Sequence, residues 1–141
     1  MTRALRLPPI LVAAALAAGL AGCGGGSSPS PSDAVRTTWK QAATAAVDGQ
    51  GTAFCSHVTA AGKAKITART QLPCEDSIRL LASRLSSADK AVIHDAKITK
   101  VTVSGNDAVV TYATTPTLAA LGFTGRTTLL KSGGHWLLVG I

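Results

Sequence analysis

Apolar positions repeat with helical spacing in the first part of the chain and with strand spacing in the last part. Val35, Trp39, Ala42, Ala43 and Ala46 fall at i, i+4, i+7, i+8 and i+11, which places them on one face of a helix from Asp33 to Val47. Ser32 or Asp33 can cap its start, and Gly49 can end it. A short element is expected over Thr52 to Val58. A third helical stretch is expected after Thr59, carrying Ile66 inward with Lys63, Lys65 and Arg69 in water, although Gly62 weighs against helix there. Pro73-Cys74-Glu75-Asp76-Ser77-Ile78 opens the clearest helix. Proline suits a first turn, and the two acids oppose the positive end of the helix dipole. Its buried stripe is Ile78, Leu81 and Leu85, with Arg79 and Arg84 facing out.

After Lys90 the period changes. Lys97 to Val103, Ala108 to Thr115, Gly125 to Lys131 and Trp136 to Ile141 are rich in Val, Thr, Leu and aromatics and read as strands. Ala91 to Asp95 can add an earlier piece of strand. Ser104-Gly105-Asn106-Asp107 and Ser132-Gly133-Gly134-His135 are hairpin turns. Pro116 to Thr124 is a longer loop whose Leu118, Leu121 and Phe123 can fold over an opening. Helices first and an antiparallel meander afterwards predict an α+β domain over residues 33–141, with its N-terminal helices packed on the sheet.

The residues ahead of this domain follow another pattern. Arg3 and Arg6 precede an unbroken run of apolar and small residues from Ile10 to Leu20. A positive end, a short greasy core and a small-residue exit are the parts of a secretory signal peptide, here residues 1–22. The run is too short for a transmembrane helix, which needs about 20 apolar residues. Leu20-Ala21-Gly22-Cys23 resembles the bacterial lipobox. The resemblance implies that Cys23 receives a diacylglyceryl group and becomes the first residue of the mature chain. Stable anchoring then follows from two acyl chains, at about 0.8 kcal/mol per buried methylene. The next residues, GGGSSPSPS, hold nothing that could pack, so residues 23–32 read as a lipidated cysteine and a tether.

Composition agrees with one small domain behind a leader. The 141 residues are 46% hydrophobic but only 4% aromatic, so a core exists and it is thin. Without Arg3 and Arg6, the 14 basic side chains become 12 against 7 acidic ones, a net charge of about +5. That charge is spread along the chain without interleaved rings, which argues against a nucleic-acid partner.

Cys55 and Cys74 remain once Cys23 is assigned to lipid. An even pair in an exported chain favours a disulfide. It would close a loop of about 20 residues and contribute roughly 3 kcal/mol. The alternatives are a metal site from Cys55, His57 and Cys74, whose spacing is a weak match to zinc ligation, and a thiol nucleophile beside His57.

The helix around Trp39, the Cys55 and Cys74 pair bracketing the middle helices, and the closing Gly133-Gly134-His135-Trp136-Leu137-Leu138 hairpin together resemble the NTF2-like, or cystatin-like, superfamily. Such domains commonly sit behind a lipobox and a flexible tether in lipoproteins of actinobacterial type. The resemblance implies a curved sheet with a long first helix across it and a cone between them. Phe54, Val110, Tyr112 and Leu129 are the expected lining of that cone.

Candidate chemistry is sparse. Asp33, Glu75 and Asp76 sit at expected helix starts, Asp48 at a helix end and Asp107 in a turn. His135 adjoins a turn. His94-Asp95 invites a general-base reading, but neighbours on a strand point to opposite faces. Tyr112, the only tyrosine, needs a single hydrogen-bond partner if it is packed inside. No catalytic residue, metal or cofactor is expected. The favoured function is a lipid-anchored extracytoplasmic module binding a small apolar ligand or an envelope protein, as a monomer or homodimer. The alternatives are a small isomerase- or dehydratase-like acid–base enzyme using the cone, and a pocketless protein pairing through its outer sheet face.

Overall fold

The structure, a computed structural model, describes residues 29–140. The leader, Cys23, most of the Gly/Ser/Pro segment and Ile141 lie outside the described residues.

Among the described residues five helices come first: α1 Pro31–Val47, α2 Gly51–Ser56, α3 Ala60–Thr70, α4 Cys74–Arg84 and α5 Ser87–His94. Four antiparallel strands follow in the order β1-β2-β3-β4: Ile98–Ser104, Asp107–Tyr112, Arg126–Ser132 and His135–Leu138. A one-turn helix, α6 (Pro116–Ala120), lies between β2 and β3. The chain is thus α+β, with its helices packed against a four-stranded meander.

β2, β3 and β4 each send alternate residues inward. Ala108, Val110 and Tyr112 of β2, Thr127 and Leu129 of β3, and Trp136 and Leu138 of β4 are buried. Against them α1 sets Val35, Trp39, Ala42, Ala43 and Ala46, the face that the sequence spacing assigned, joined by Ala45 and Val47. Alanine dominates that face, so the helix axis lies close to the sheet and one large ring, Trp39, fills the remaining depth. Every core position described lies between Val35 and Leu138. Among residues 29–140 the core is self-contained, as a unit that folds alone requires.

Helix starts differ from expectation in two places. The cap of α1 is Ser30, not Ser32 or Asp33: its Oγ accepts from the Asp33 N–H at 3.1 Å and its hydroxyl donates to the Asp33 carboxylate at 2.7 Å. Pro31 and Ser32 consequently belong to the helix. Ala91 to Asp95 is not strand but the end of α5 and its C-cap. Ser86 and Asp89 build a capping box, with each side chain accepting from the other's backbone N–H. This local signal outweighs the short apolar run that suggested a strand.

Gly62 lies inside α3 and does not break it. A Cβ there would come within 2.7 Å of the Val139 carbonyl oxygen, so the glycine marks where α3 crosses the chain after β4. At the other end of the helical layer, a Cβ on Gly51 would collide with the Glu75 carbonyl. That close approach of α2 to α4 is sealed by the Cys55–Cys74 disulfide, whose Cα atoms are 6.2 Å apart. The outer edge of β4 is partly covered by the α2–α3 connection: Leu138 N–H donates to His57 O at 2.7 Å, and Thr59 N–H donates to Leu138 O at 2.9 Å.

Candidate functional site

The site begins with the periodicity of α3. Lys65 and Arg69 stand one turn apart on one ridge, and Ile66 and Thr70 form the next ridge. Thr59 starts the helix by accepting from the Gly62 N–H at 3.0 Å. The Ile66 ridge faces Ser77, Ile78 and Leu81 of α4. The two helices are linked at this seam by Thr70 Oγ1 and Ser77 Oγ, 2.7 Å apart, and both hydroxyls also reach backbone carbonyls of their own segments.

Between the ridges lies a predominantly apolar slot of about 120 Å³. Leu121, just past α6, reaches it from the far side. The segment expected to be a loop over an opening forms α6 in part, and of its three apolar side chains only Leu121 borders the slot. Thr115 caps α6 through the Leu118 N–H at 3.2 Å, Leu118 and Phe123 are buried, and the half-buried Leu121 hangs over the slot. On one flank the slot continues outward past Leu80, which is exposed, to Arg84.

On the other flank it adjoins an open polar cleft of about 380 Å³, lined on the sheet side by Thr124, Arg126, Thr127 and Thr128. Lys65 and Arg69 line both spaces. Lys65 and Arg69 of α3 and Arg126 at the start of β3 border this cleft, and among the described residues no acidic residue lines it. Among the described residues none of the three forms an ion pair within 4.0 Å.

Thr127 links the cleft to the core. Its Oγ1 accepts from Trp39 Nε1 at 3.4 Å and donates to the Tyr112 hydroxyl at 3.3 Å. The Trp39 and Tyr112 rings lie 4.4 Å apart. Burial pushes the Tyr112 phenol above its ordinary value, against the opposing pull of the Thr127 hydrogen bond and the Gly125 backbone. A phenol held neutral in this way is a poor base at neutral pH.

The residues singled out from sequence are not gathered at this site. Phe54, Val110, Tyr112 and Leu129, expected to line a cone, all belong to the closed core and line none of the clefts described here. The physical reason is Trp39, which packs on Tyr112 where an open cone would need space. His94 sits at the end of α5 and pairs with Asp48 at the end of α1, Nε2 to Oδ1 3.0 Å, on the exterior. Its partner is therefore Asp48 rather than the adjacent Asp95. His57 and His135 line a separate open cleft with Thr38, Gln41, Ser56 and Trp136. Cys55 and Cys74 are bonded to each other, which withdraws both sulfurs from thiolate ligation and from nucleophilic attack.

Compared with protein-family models, with curated proteins and with solved structures, the chain matches none. The chemistry of the site therefore rests on its own residues.

Proposed function

We propose that the chain is an exported, lipid-anchored module that holds a small ligand outside the cell without transforming it. The observation that carries this reading is the apolar slot under Leu121, opening into a cleft whose ionisable side chains are all cations. An acid–base enzyme needs a base, and an acid or an orienting partner, converging on one point. Here the tyrosine is buried and held neutral, His94 is engaged on the outer surface, and the other two histidines line a different cleft.

Export is supported from two sides. The positive end, the apolar run and the Leu20-Ala21-Gly22-Cys23 tetrapeptide suit a lipoprotein leader. The Cys55–Cys74 bond suits an oxidising compartment. The helical layer, the four-stranded meander and the long first helix across it are consistent with an NTF2-like body, with ligand entry displaced from the cone centre to the α3–α4–α6 mouth.

Replacing Cys23 with Ser should move the protein from the membrane fraction to the soluble fraction. Continued membrane retention would overturn the anchor. Native mass spectrometry of the exported protein should reveal an added small-molecule mass that is lost when Leu121 is replaced by Asp. An added mass that survives Leu121→Asp would place the ligand elsewhere.

A further inference from the structure

We propose that the open peptide edge of Trp136 in β4 captures a short, uncharged length of extended polypeptide from another protein, which joins the four-stranded sheet as a further strand. The site is separate from the slot and does not depend on it.

Backbone accounting locates it. The turn between β3 and β4 is Gly133-Gly134, and in a two-residue hairpin the flanking pair, Ser132 and His135, exchange their hydrogen bonds. Pairs then alternate. Leu130 and Leu137 bond to each other, whereas Lys131 with Trp136 and Leu129 with Leu138 do not. Two contacts fix this phase. Lys131 N–H donates away from β4, to Asn106 O at 2.7 Å, and Val139 N–H donates to Thr128 O at 3.0 Å. Trp136 and Leu138 consequently turn their N–H and C=O groups out from the edge of β4. At Leu138 both are taken, by His57 O and by Thr59 N–H, where Val58 forms a parallel bridge. At Trp136 neither has a backbone partner among the described residues. In that parallel register Trp136 would meet Ser56, but Ser56 is the last residue of α2 and its backbone is already helical.

The space left there is an open cleft of about 390 Å³, walled by Thr38 and Gln41 of α1 and by Ser56 and His57. Trp136 and Leu138 bury their side chains inward, so His135 and Leu137 turn theirs to the outer face. β4 therefore meets the cleft through its backbone, with one donor and one acceptor set as a strand presents them. An amide supplies the complement of that pair, and a peptide also continues along the edge on either side of it. The other sheet edge, β1, is unpaired as well, but it carries the exposed Lys100 and a bulge between Ile98 and Lys100, devices that blunt an edge. β4 has no charged side chain besides His135 and no register shift, and the bridge that covers it stops at Leu138.

The chemistry of the wall sets the preference. Among the described residues no Asp, Glu, Lys or Arg lines the cleft, so a formal charge dehydrated there would go uncompensated. Main-chain pairing supplies the affinity, and Thr38 and Gln41 select small polar side chains.

The experiment uses the exported protein in mild detergent, with the Cys55–Cys74 bond verified by non-reducing mass spectrometry. The probe is an end-blocked Thr-Val-Thr-Val-Thr pentapeptide, and the comparator is the same peptide N-methylated at every amide. On titration the Trp136 backbone amide resonance should shift downfield and its hydrogen exchange should slow. The comparator should bind about tenfold or more weakly, because it has lost its donors. Gln41→Trp should fill the cleft and remove the response while the melting temperature stays within a few degrees, since Gln41 is exposed. Leu121→Asp, aimed at the slot, should leave the response intact. Equal binding of the two peptides would mean capture by side chains and overturn the proposal. A response at Val101 and Val103 in place of Trp136 would assign peptide capture to β1 and overturn it as well. So would binding that survives Gln41→Trp, or no response at millimolar peptide.

Discussion

At the scale of single residues, Thr127 is the junction between core and cleft. It satisfies the Trp39 indole N–H and reaches the Tyr112 hydroxyl, two polar groups carried on large buried rings. Thr127→Val keeps the shape and removes the hydroxyl. The indole N–H is then buried without a partner, which costs about 1–3 kcal/mol. Urea unfolding should show the midpoint falling with the slope unchanged. Tyr112 makes a separate prediction through pH. Its phenol is held above the ordinary value of about 10 mainly by burial, so the folded state keeps a proton that the unfolded state releases first. The resulting stability is complete below about pH 10 and is lost as pH rises through the folded value. Thermal melts from pH 8 upward should show a steeper alkaline decline in the native chain than in Tyr112→Phe. Parallel declines would mean that Tyr112 does not titrate differently on folding. None of this junction was legible in the sequence. Trp39 and Tyr112 were recognisable as core residues, but Thr127 is one of many threonines in strand-like segments, and only the strand register reveals which of them meets the indole.

At the scale of elements, α3 shows why legibility ran out where it did. Its existence and its inward Ile66 follow from periodicity, and the two are linked, because one buried side chain per few turns is enough to set the helix face. Its place beside the slot does not follow, because periodicity puts Lys65 and Arg69 in water and says nothing of the α4 and Leu121 walls that the helix meets. Gly62 also misleads on propensity alone. Gly→Ala in a helix interior ordinarily stabilises by about 1 kcal/mol. Here the new Cβ would press on Val58 and on the Val139 carbonyl, at 2.6 and 2.7 Å. Gly62→Ala should therefore destabilise by about 1–3 kcal/mol, the cost of overpacking. A gain in melting temperature would show that α3 does not sit against the end of β4. The disulfide acts on the same element. Its two cysteines are 19 positions apart, and the loop between them contains all of α3, so the bridge limits the freedom of one wall of the slot. Cys55→Ala/Cys74→Ala should lower stability by about 3 kcal/mol. Amide exchange should rise over α3 more than over β2, which is held by a strand on each side. The missed α5 differs in kind, since Ser86-Ser87-Ala88-Asp89 was readable as a helix start and the Ala-Val-Ile run after it was ambiguous between helix and strand.

For the whole molecule, the remaining issue is whether the outer sheet face pairs with a second copy. That face carries Val109 and Thr111 of β2, Thr128 and Leu130 of β3, and Leu137 of β4, with Lys100 and Arg126 in the same layer. Leu130 and Leu137 are direct cross-strand partners, so they form its apolar centre. Val109 and Leu137 are already half-buried by their neighbours, and Leu130 is the one large apolar side chain of the described sheet that is strongly exposed. A stable homodimer buries about 800 Å² on each partner around an apolar core. One exposed leucine ringed by threonines and cations falls well short of that. Residues 29–141 should consequently run as a monomer at micromolar concentration in light scattering coupled to size exclusion, and Leu130→Asp should leave the elution unchanged. A dimer that dissociates on Leu130→Asp would assign the sheet face to subunit pairing. A dimer indifferent to Leu130→Asp but broken by Leu80→Asp would instead place the contact at the exposed lip of the slot, where a second copy would compete with the ligand.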